Sequence, residues 1–358
     1  MKKHLIAASA GVLGWASLAH AQSSVTLYGV VDAAVSYVNA GGKGGKTAMD
    51  SSGMNSSRYG LLGNEDLGGG LSAGFTLEGD AYPNNGTTGV TNTNNQASGA
   101  GATAIFGRRS FVNLTSATLG EVRLGRDYTA TYWNLAGFDP FTHLGLGSAT
   151  TFELTYAGVT SVRNANSVYY LTPNTLGGFF GEANISFGNN PSGAAGGTGH
   201  DGDYGGLRIG YEGHGAKVAA SVSKATYEAG DVREANFGGT YDFHIIKTYA
   251  LYQQAQQSGL VSHTQGTILL GGVIPVGVNA IRFSALHLHE HGDSSKDAMM
   301  VAIGFIYNMS KRTQLYTTYA HIDNHKNAAY SESETSGALA PTPGGNVNGF
   351  QIGLSTKF

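Results

Sequence analysis

The 358-residue chain contains no cysteine and few charged residues. Without cysteine it can form neither a disulfide framework nor a thiolate metal site. Charged residues make up 13% of the sequence, about half the share usual in soluble proteins. The 21 Lys and Arg are balanced by 24 Asp and Glu, and no basic tract indicates nucleic acid as a partner.

Long apolar runs are also missing from the chain after its N-terminal segment. No stretch there approaches the ~18 consecutive apolar residues of a membrane-spanning helix. The N-terminus has a basic start at Lys2 and Lys3, an apolar segment at 5–18 and an A-x-A site at 19–21. These parts indicate a secretory signal peptide rather than a retained amphipathic helix. We therefore predict a signal peptide at 1–21 and a mature chain at 22–358, whose 19 basic and 24 acidic residues give a formal charge of −5.

Glycine and two-residue alternation are what the chain has in excess. Its 55 glycines are about twice the usual share. Apolar residues recur at every second position, as in Val301, Ile303, Phe305 and Tyr307. This period is typical of β-strands with two different faces. The alternating segments are about ten residues long, the length of a tilted strand that crosses a bilayer.

The segments between these strands alternate between short and long. Seven short turns are predicted, at 64–70, 116–120, 172–178, 212–216, 242–245, 275–277 and 308–312. Eight long polar loops are predicted, at 39–55, 83–103, 128–165, 189–203, 226–234, 254–265, 288–297 and 323–346. Fifteen connections require sixteen strands, and this pattern is typical of an outer-membrane barrel.

The fold predicted from these patterns is all-β: a sixteen-stranded antiparallel transmembrane β-barrel with long extracellular loops and short periplasmic turns. Closure allows every backbone N–H and C=O to pair inside a membrane. The chain ends in mid-alternation on Phe358. Because the last strand must pair with the first, we expect Phe358 at the barrel seam, within the periplasmic aromatic girdle.

Several stretches resemble the general diffusion porins of Gram-negative bacteria, in the branch typical of beta-proteobacteria. They include SSVTLYGVVDAAVSY at the mature start, NEDLGGGL at 64–71, FGRRSFVNL at 106–114 and GEVRLGRDYTATYW at 120–133. Asn113 and Thr356 depart from the family pattern. The resemblance implies a homotrimer whose third extracellular loop folds into the lumen. It also implies that the barrel-assembly machinery reads Phe358 as an assembly signal.

The longest loop, 128–165, contains Asp139 and Glu153 and many apolar residues. A loop of this length is usually functional or disordered. The resemblance places it inside the barrel, where we predict that Asp139 and Glu153 belong to the pore constriction. The same resemblance matches Arg58, Arg108 and Arg163 to the basic residues that line the constriction.

Strand alternation gives a separate prediction of which arginines face the lumen. Arg58 alternates with apolar residues and should point inward. Phe111 is predicted to face lipid, so that Arg108 points inward and Arg109 points outward unless a bulge redirects it. Arg123 lies between Val122 and Leu124 and should also point inward. The alternative for each arginine is a surface side chain that reaches lipid headgroups.

The expected function is passive diffusion of ions and small hydrophilic solutes across the outer membrane, with mild anion selectivity. Outer-membrane lipid and lipopolysaccharide are expected neighbours, and no cofactor or catalytic group is predicted. A barrel enzyme, a substrate-specific channel and an adhesive barrel are the alternatives. His287, His289 and His291 have a spacing that could hold a metal, although a polar strand end is the favoured interpretation and no metal site is predicted.

Overall fold

The computed structural model describes residues 24–92, 94–96, 101–156, 158–259, 262–332, 336 and 338–358. The predicted signal peptide at 1–21 and the mature start at Gln22 lie outside these residues. The described part is almost entirely β-structure.

Nineteen strands occur in the described part of the chain. They are β1 Ser24–Ala40, β2 Gly44–Ser51, β3 Arg58–Gly68, β4 Leu71–Asp80, β5 Val90–Thr91, β6 Ala102–Thr103, β7 Arg109–Ser116, β8 Gly120–Tyr128, β9 Arg163–Leu171, β10 Phe179–Ser186, β11 Tyr204–Gly213, β12 Ala216–Ala225, β13 Val232–Asp242, β14 Lys247–Gln257, β15 His263–Val276, β16 Asn279–Glu290, β17 Ala298–Asn308, β18 Thr313–Asn324 and β19 Val347–Lys357. The helices are α1 Ala130–Gly137, α2 Thr150–Glu153 and two 3-10 turns, Ala195–His200 and Ser294–Lys296. None of these described helices has the length and apolar character needed to span a membrane.

Sixteen of the strands form a closed antiparallel barrel, which confirms the predicted fold and strand count. Closure depends on β1, whose residues 24–30 pair with β3 while residues 30–40 pair with β19. The remaining barrel strands pair with their neighbours along the chain. A closed barrel has no free sheet edge, so its backbone polar groups can all be satisfied within lipid.

The first predicted loop, 39–55, contains structure that the polar composition did not indicate. The chain turns at Gly42 and Gly44, which have φ values of 76° and 81°, and continues as β2. Strand β2 pairs with residues 33–40 of β1 and extends the sheet beyond the barrel. A shorter pair, β5 with β6, lies within the second loop.

The outer surface of the barrel is apolar, and this determines its environment. On β17, the outward side chains of Val301 and Ile303 are 39% and 54% exposed. The inward side chains of Met300 and Ala302 are buried. Similar outward rows on the other strands form a continuous apolar belt, as expected for a barrel that faces lipid.

The main hydrophobic core lies inside the barrel, where the segment between β8 and β9 packs against the wall. We call residues 129–162, apart from residue 157, the inward loop. Five of its large apolar side chains are almost completely buried: Leu135, Phe138, Phe141, Leu146 and Phe152. They join a cluster with inward-facing wall residues, which include Val38, Leu251, Leu269, Leu286, Leu288, Met300, Ile322 and Val347.

Candidate pore constriction

The inward loop begins with a capped helix that turns the chain into the lumen. Strand β8 ends at Tyr128, and the Thr129 side chain accepts a hydrogen bond of 3.2 Å from the Tyr132 backbone N–H. This is a normal N-cap contact, and it fixes the start of α1 directly after the strand. The third long connection therefore folds inward, as the resemblance implied.

Glycines of the wall leave space for the apolar side chains of the inward loop. A methyl group on Gly238 would lie 2.7 Å from Phe138 Cδ2. A methyl group on Gly271 would lie 2.7 Å from Pro140 Cγ. Real Cβ contacts are not this short, so these two glycines are part of the seat on which the inward loop rests.

Polar contacts also fix the inward loop to the same side of the barrel. The Asn134 side chain donates to Asn236 Oδ1 at 2.9 Å. Gln253 Nε2 donates to the backbone oxygen of Glu153 at 3.0 Å. The inward loop thus occupies the side of the lumen formed by β10–β19, and Arg58, Arg108 and Arg163 lie on the opposite side.

Arg58 and Arg108 come together on the opposite wall around Glu78. Arg108 Nε lies 2.7 Å from Glu78 Oε1, and its Nη1 lies 3.1 Å from Asp80 Oδ1. Arg58 Nε lies 3.3 Å from Glu78 Oε2. Both guanidinium groups therefore lie on the lumen side, as predicted. Arg58 does so by strand alternation, whereas Arg108 lies just before β7 begins.

Arg163 joins this group through Tyr128. Its guanidinium carbon lies 4.4 Å from the centre of the Tyr128 ring, and Nη2 donates to the Tyr128 hydroxyl at 2.8 Å. Arg108 Nη2 donates to the same hydroxyl. Tyr128 thus holds two of the arginines that were predicted to line the constriction, although no role was predicted for Tyr128 itself. The aromatic run at 128–133, just where β8 ends, was the signal that could have identified it.

Arg123 forms a separate network in which its charge is neutralised. It lies 2.6 Å from Glu121 Oε1 and 2.8 Å from Asp127 Oδ2. Asp127 also pairs with Arg109, through contacts of 2.8 and 2.9 Å. The network contains two arginines and two carboxylates, so it adds no net charge to the wall.

The predicted orientation of Phe111 was wrong, and so was the outward orientation of Arg109. Phe111 is buried, and the guanidinium carbons of Arg109 and Arg123 each lie 5.0 Å from its ring centre. The lipid face of β7 is formed by Val112 and Leu114, which are 57% and 49% exposed. An inward aromatic ring provides a cation–π platform for two arginines, and alternation of apolar residues alone does not identify that arrangement.

A gap of about 280 Å³ separates the arginine side of the wall from the inward loop. We call it the constriction gap. The described residues that line it on the wall are Met54, Asn55, Ser56, Arg58, Glu78, Arg108, Arg109 and Tyr128. Those that line it on the inward loop are Tyr132, Trp133, Ala136, Thr142 and Leu144.

Asp139 and Glu153 do not line this gap, which differs from the prediction that they face the arginines. The Asp139 carboxylate is buried and accepts three backbone N–H groups, from Phe141 at 2.8 Å, His143 at 3.0 Å and Ala149 at 3.2 Å. Glu153 Oε2 lies 2.5 Å from His143 Nε2, and both side chains are buried. The two carboxyl groups therefore organise the inside of the loop.

Burial also shifts the pKa of these two groups. It raises the pKa of the Asp139 carboxyl above its ordinary value and raises the pKa of Glu153 well above it. A raised pKa means that each carboxyl binds a proton more readily than it would in water. Since neither carboxyl group lines the constriction gap, neither lies beside the arginines there.

Phe358 lies at the seam, as predicted. Its backbone N–H donates to the Gly29 oxygen at 3.1 Å, and the Gly29 N–H donates to the Phe358 oxygen at 3.2 Å. The histidines whose spacing could hold a metal lie elsewhere, with His287 and His289 on the outward face of β16. The described residues contain no group of three or more His, Asp or Glu arranged to hold a metal ion.

A closed barrel with an apolar exterior and a charged gap in its lumen is a transmembrane channel. The family model described as "Gram-negative porin" matches residues 6–327. "Outer membrane porin protein 32" of Delftia acidovorans is 34% identical over 374 residues, and the alignment covers 100% of both chains. The chain therefore belongs to the Gram-negative porin family, which confirms the resemblance, and it is an outer-membrane β-barrel channel for diffusion.

Solved structures agree with this assignment. An anion-selective porin from Comamonas acidovorans is 31% identical, with a TM-score of 0.81 over 94% of this chain and 100% of that one. The trimer form of OmpT from Vibrio cholerae is 16% identical, with a TM-score of 0.66 over 94% of this chain and 99% of that one. At that identity the second similarity concerns the fold alone.

Proposed function

We propose that this porin passes ions and small hydrophilic solutes passively, with a mild preference for anions that is set at the constriction gap. The observation that carries the proposal is the charge around the gap. Arg58, Arg108 and Arg163 outnumber Glu78 and Asp80 by one. The carboxyl groups of the inward loop are buried and do not balance this excess.

For ion selection, the position of these charges matters more than the net charge of the chain. The mature chain is net acidic, which by itself would favour cations. Charges on exposed loops are screened within about 8 Å at physiological ionic strength. Charges at a narrow point act through low-dielectric walls that focus their field, so the arginines dominate the selection of ions.

The other predicted constriction residues have supporting roles in this proposal. Asp139 and Glu153 hold the inward loop in the shape that lines the gap. Arg123 fixes the wall behind Arg109 through their shared partner Asp127. A catalytic role for the barrel is not part of the proposal, because solute selection by size and charge requires only the gap and its field.

We further propose that the protein is exported with a signal peptide and assembles as a homotrimer in the outer membrane. The mature chain would begin at Gln22 after the signal peptide is removed. The barrel-assembly machinery would read Phe358, and lipid and lipopolysaccharide would surround the finished barrel. The trimer form described for the Vibrio cholerae protein, which shares the fold, supports this oligomeric state.

The reversal potential in a salt gradient tests the proposed selectivity. Wild-type channels in planar bilayers should show anion preference at low salt, and this preference should fade as salt rises. Replacing Arg58 and Arg108 together by Gln should shift the reversal potential toward cations. The matched control replaces Lys43 and Lys46 by Gln, which removes the same charge from the exposed β1–β2 hairpin and should leave the potential unchanged.

Two results would contradict the proposal. One is cation preference in the wild type together with an unmoved potential in the arginine double variant. The other is an equal shift in the lysine control, which would mean that total charge rather than the gap sets selectivity. Heat-modifiable mobility of each variant on gels checks that the barrel has assembled.

A further inference from the structure

Three aromatic side chains lie next to one another at the constriction gap. The Tyr132 ring stacks on the Tyr128 ring, with centres 5.3 Å apart and planes only 7° from parallel. The centre of the Trp133 ring lies 4.9 Å from that of Tyr128, at a tilt of 56°. All three side chains line the gap. Selection among inorganic ions requires charge and a narrow point, so it does not account for this aromatic surface.

Two of the rings are held in place by the inward loop itself. Tyr132 and Trp133 both belong to α1 and are only partly buried. The Tyr132 ring meets the His143 ring nearly at a right angle, with centres 5.4 Å apart. Because neighbours on both the loop and the wall fix its plane, the aromatic surface is preorganised, which lowers the cost of binding a flat partner.

The opposite side of the gap offers a guanidinium group with unused donors. The Arg58 side chain is 31% exposed, compared with 22% for Arg109 and 7% for Arg108. Its Nε lies 3.3 Å from Glu78, and its Nη1 donates to the Ser56 backbone oxygen at 2.9 Å. Its Nη2 contacts no acceptor among the described residues. A guanidinium fork of this kind is a good receptor for a carboxylate.

The charges at the gap select an anionic rather than a cationic partner for the rings. Glu78 is the only carboxylate among the described residues that line the gap. It is paired with both Arg58 and Arg108, and its side chain is 6% exposed. An organic cation that approached the rings would therefore meet excess positive charge and no available carboxylate.

The remaining lining and the size of the gap suit a small organic ligand. Met54, Ala136 and Leu144 add apolar surface beside the rings. The volume of about 280 Å³ lies at the lower end of the range of small-molecule sites, roughly 300–1,000 Å³. The gap therefore has room for a molecule with one ring rather than for a large one.

We propose that the constriction gap binds aromatic carboxylates with a single ring during their passage through the channel. The carboxylate pairs with Arg58 on the wall, and the flat ring lies against Tyr132 and Trp133 on the inward loop. Aromatic rings attract each other in offset or edge-to-face arrangements beyond the burial of their area. This proposal names a solute class for the gap and rests on the proposed anion preference.

Benzoate and cyclohexanecarboxylate are matched probes for this site, because they share charge and carbon number and differ in aromaticity. Each is titrated onto the wild-type channel in a planar bilayer at constant ionic strength and neutral pH. The concentration that gives half of the maximal reduction in ion current is measured. Benzoate should need a roughly two- to tenfold lower concentration, as aromatic contacts predict. Burial of apolar surface alone does not favour benzoate, since the saturated ring is at least as apolar.

Variants of the two loop rings test whether they carry this difference. Trp133→Leu and Tyr132→Leu should each bring the two concentrations closer together, whereas Trp133→Phe and Tyr132→Phe keep a ring and should retain the difference. Arg58→Gln should weaken both probes and leave their ratio unchanged. The matched control is Phe350→Leu, which removes a ring from the outward face of β19 and should keep the wild-type ratio. The ratio is taken within each variant, so a changed conductance does not affect it.

Three results would overturn the proposal. The first is equal inhibition of the wild type by the two acids, or stronger inhibition by cyclohexanecarboxylate. The second is a wild-type ratio in both leucine variants, with assembly confirmed by heat-modifiable mobility. The third is stronger inhibition by benzylammonium than by benzoate, which would assign the rings to organic cations.

The reversal potential in a salt gradient, recorded on the same wild-type channels, separates this proposal from the anion preference on which it rests. Anion preference together with equal inhibition by the two acids would overturn the aromatic site alone. Cation preference would contradict the proposed selectivity, and the aromatic site with it.

Discussion

At the scale of single residues, the seam of the barrel depends on a pair at the two ends of the chain. Phe358 and Gly29 exchange two backbone hydrogen bonds. A methyl group on Gly29 would lie only 2.2 Å from Phe358 Cζ, so the terminal ring lies directly on the bare glycine. An aromatic ring over a strand glycine helps to fix register, and here it does so where the barrel closes.

Gly29→Val should therefore lower the amount of assembled barrel, because the added side chain displaces the Phe358 ring. Deletion of Phe358 should have a similar effect. The measurement is the heat-modifiable fraction in isolated outer membranes. Gly205→Val on β11 is the matched control, since open space surrounds that glycine. Wild-type levels of assembled Gly29→Val would show that the contact between the Phe358 ring and Gly29 is not needed for barrel closure.

At the scale of elements, the inward loop is clamped to the wall by Arg282. Its guanidinium carbon lies 4.3 Å from the centre of the Phe141 ring, and Nη2 donates to Thr318 Oγ1 at 3.5 Å. A desolvated cation–π contact contributes about 2 kcal/mol or more. Arg282 is buried behind the inward loop and does not line the constriction gap. We therefore expect it to hold the loop in place rather than to select ions by its charge.

Arg282→Met should consequently raise single-channel current noise and change conductance, while the reversal potential stays near the wild-type value. Phe141→Leu removes the same contact without removing charge and should have the same effect. The double variant should be no worse than either single variant. A shifted reversal potential in Arg282→Met, with no effect of Phe141→Leu, would instead assign Arg282 to charge selection.

The buried Glu153 makes the anchoring of the inward loop sensitive to pH. Its raised pKa, which burial causes, means that Glu153 binds a proton more tightly in the folded state than in the unfolded chain. The stability from this proton is complete below the unfolded pKa of about 4.3 and is lost as pH rises through the folded value. Thermal unfolding midpoints should therefore fall as the pH rises above about 4.3.

Glu153→Gln keeps a hydrogen-bonding side chain but does not titrate. Its unfolding midpoint should depend less on pH than that of the wild type over the same range. Parallel pH profiles for the two proteins would mean that Glu153 does not carry this dependence.

The strands were predictable from the sequence because lipid imposes a strict alternation on every outward face. The inside of the barrel follows weaker rules. Leu269 and Leu286 point into the lumen, where alternation alone predicts polar residues, because the inward loop packs on them. Apolar residues on both faces of β15 and β16 were a signal that something packs inside, but the place of the loop was taken from the resemblance.

The candidate site was less predictable than the strands. Arg58 could be oriented by alternation. Arg108 could not, because the alternation of β7 was assigned with Phe111 outward and Arg108 lies just before that strand.

The partner of an acidic side chain depends on distances that residue spacing does not give. Asp139 and Glu153 are on the predicted loop, yet backbone N–H groups and His143 hold them inside it. Buried carboxyl groups need such partners, and this need decides their positions.

At the scale of the whole molecule, the lumen has two unlike halves. The inward loop and its apolar wall fill the half formed by β10–β19. The half formed by β3, β4 and β7–β9 carries the arginines that lie at the constriction gap. In the function we propose, the path for solutes is therefore off-centre, and its narrow part is the constriction gap, lined by Arg58 on the wall and Ala136 on the loop. This is the central claim of the structure.

Thiol labelling tests that claim most directly, because the native chain contains no cysteine that would react. Ala136→Cys places a single thiol in the constriction gap, and Val112→Cys places one on the lipid face of β7 as the control. With each channel in a planar bilayer, a negatively charged methanethiosulfonate reagent is added, and labelling is verified by mass. The structure predicts a stepwise fall in conductance and weaker anion preference for Ala136→Cys, with no change for Val112→Cys. Unchanged conductance of fully labelled Ala136→Cys would contradict the account, since the solute path would then lie elsewhere.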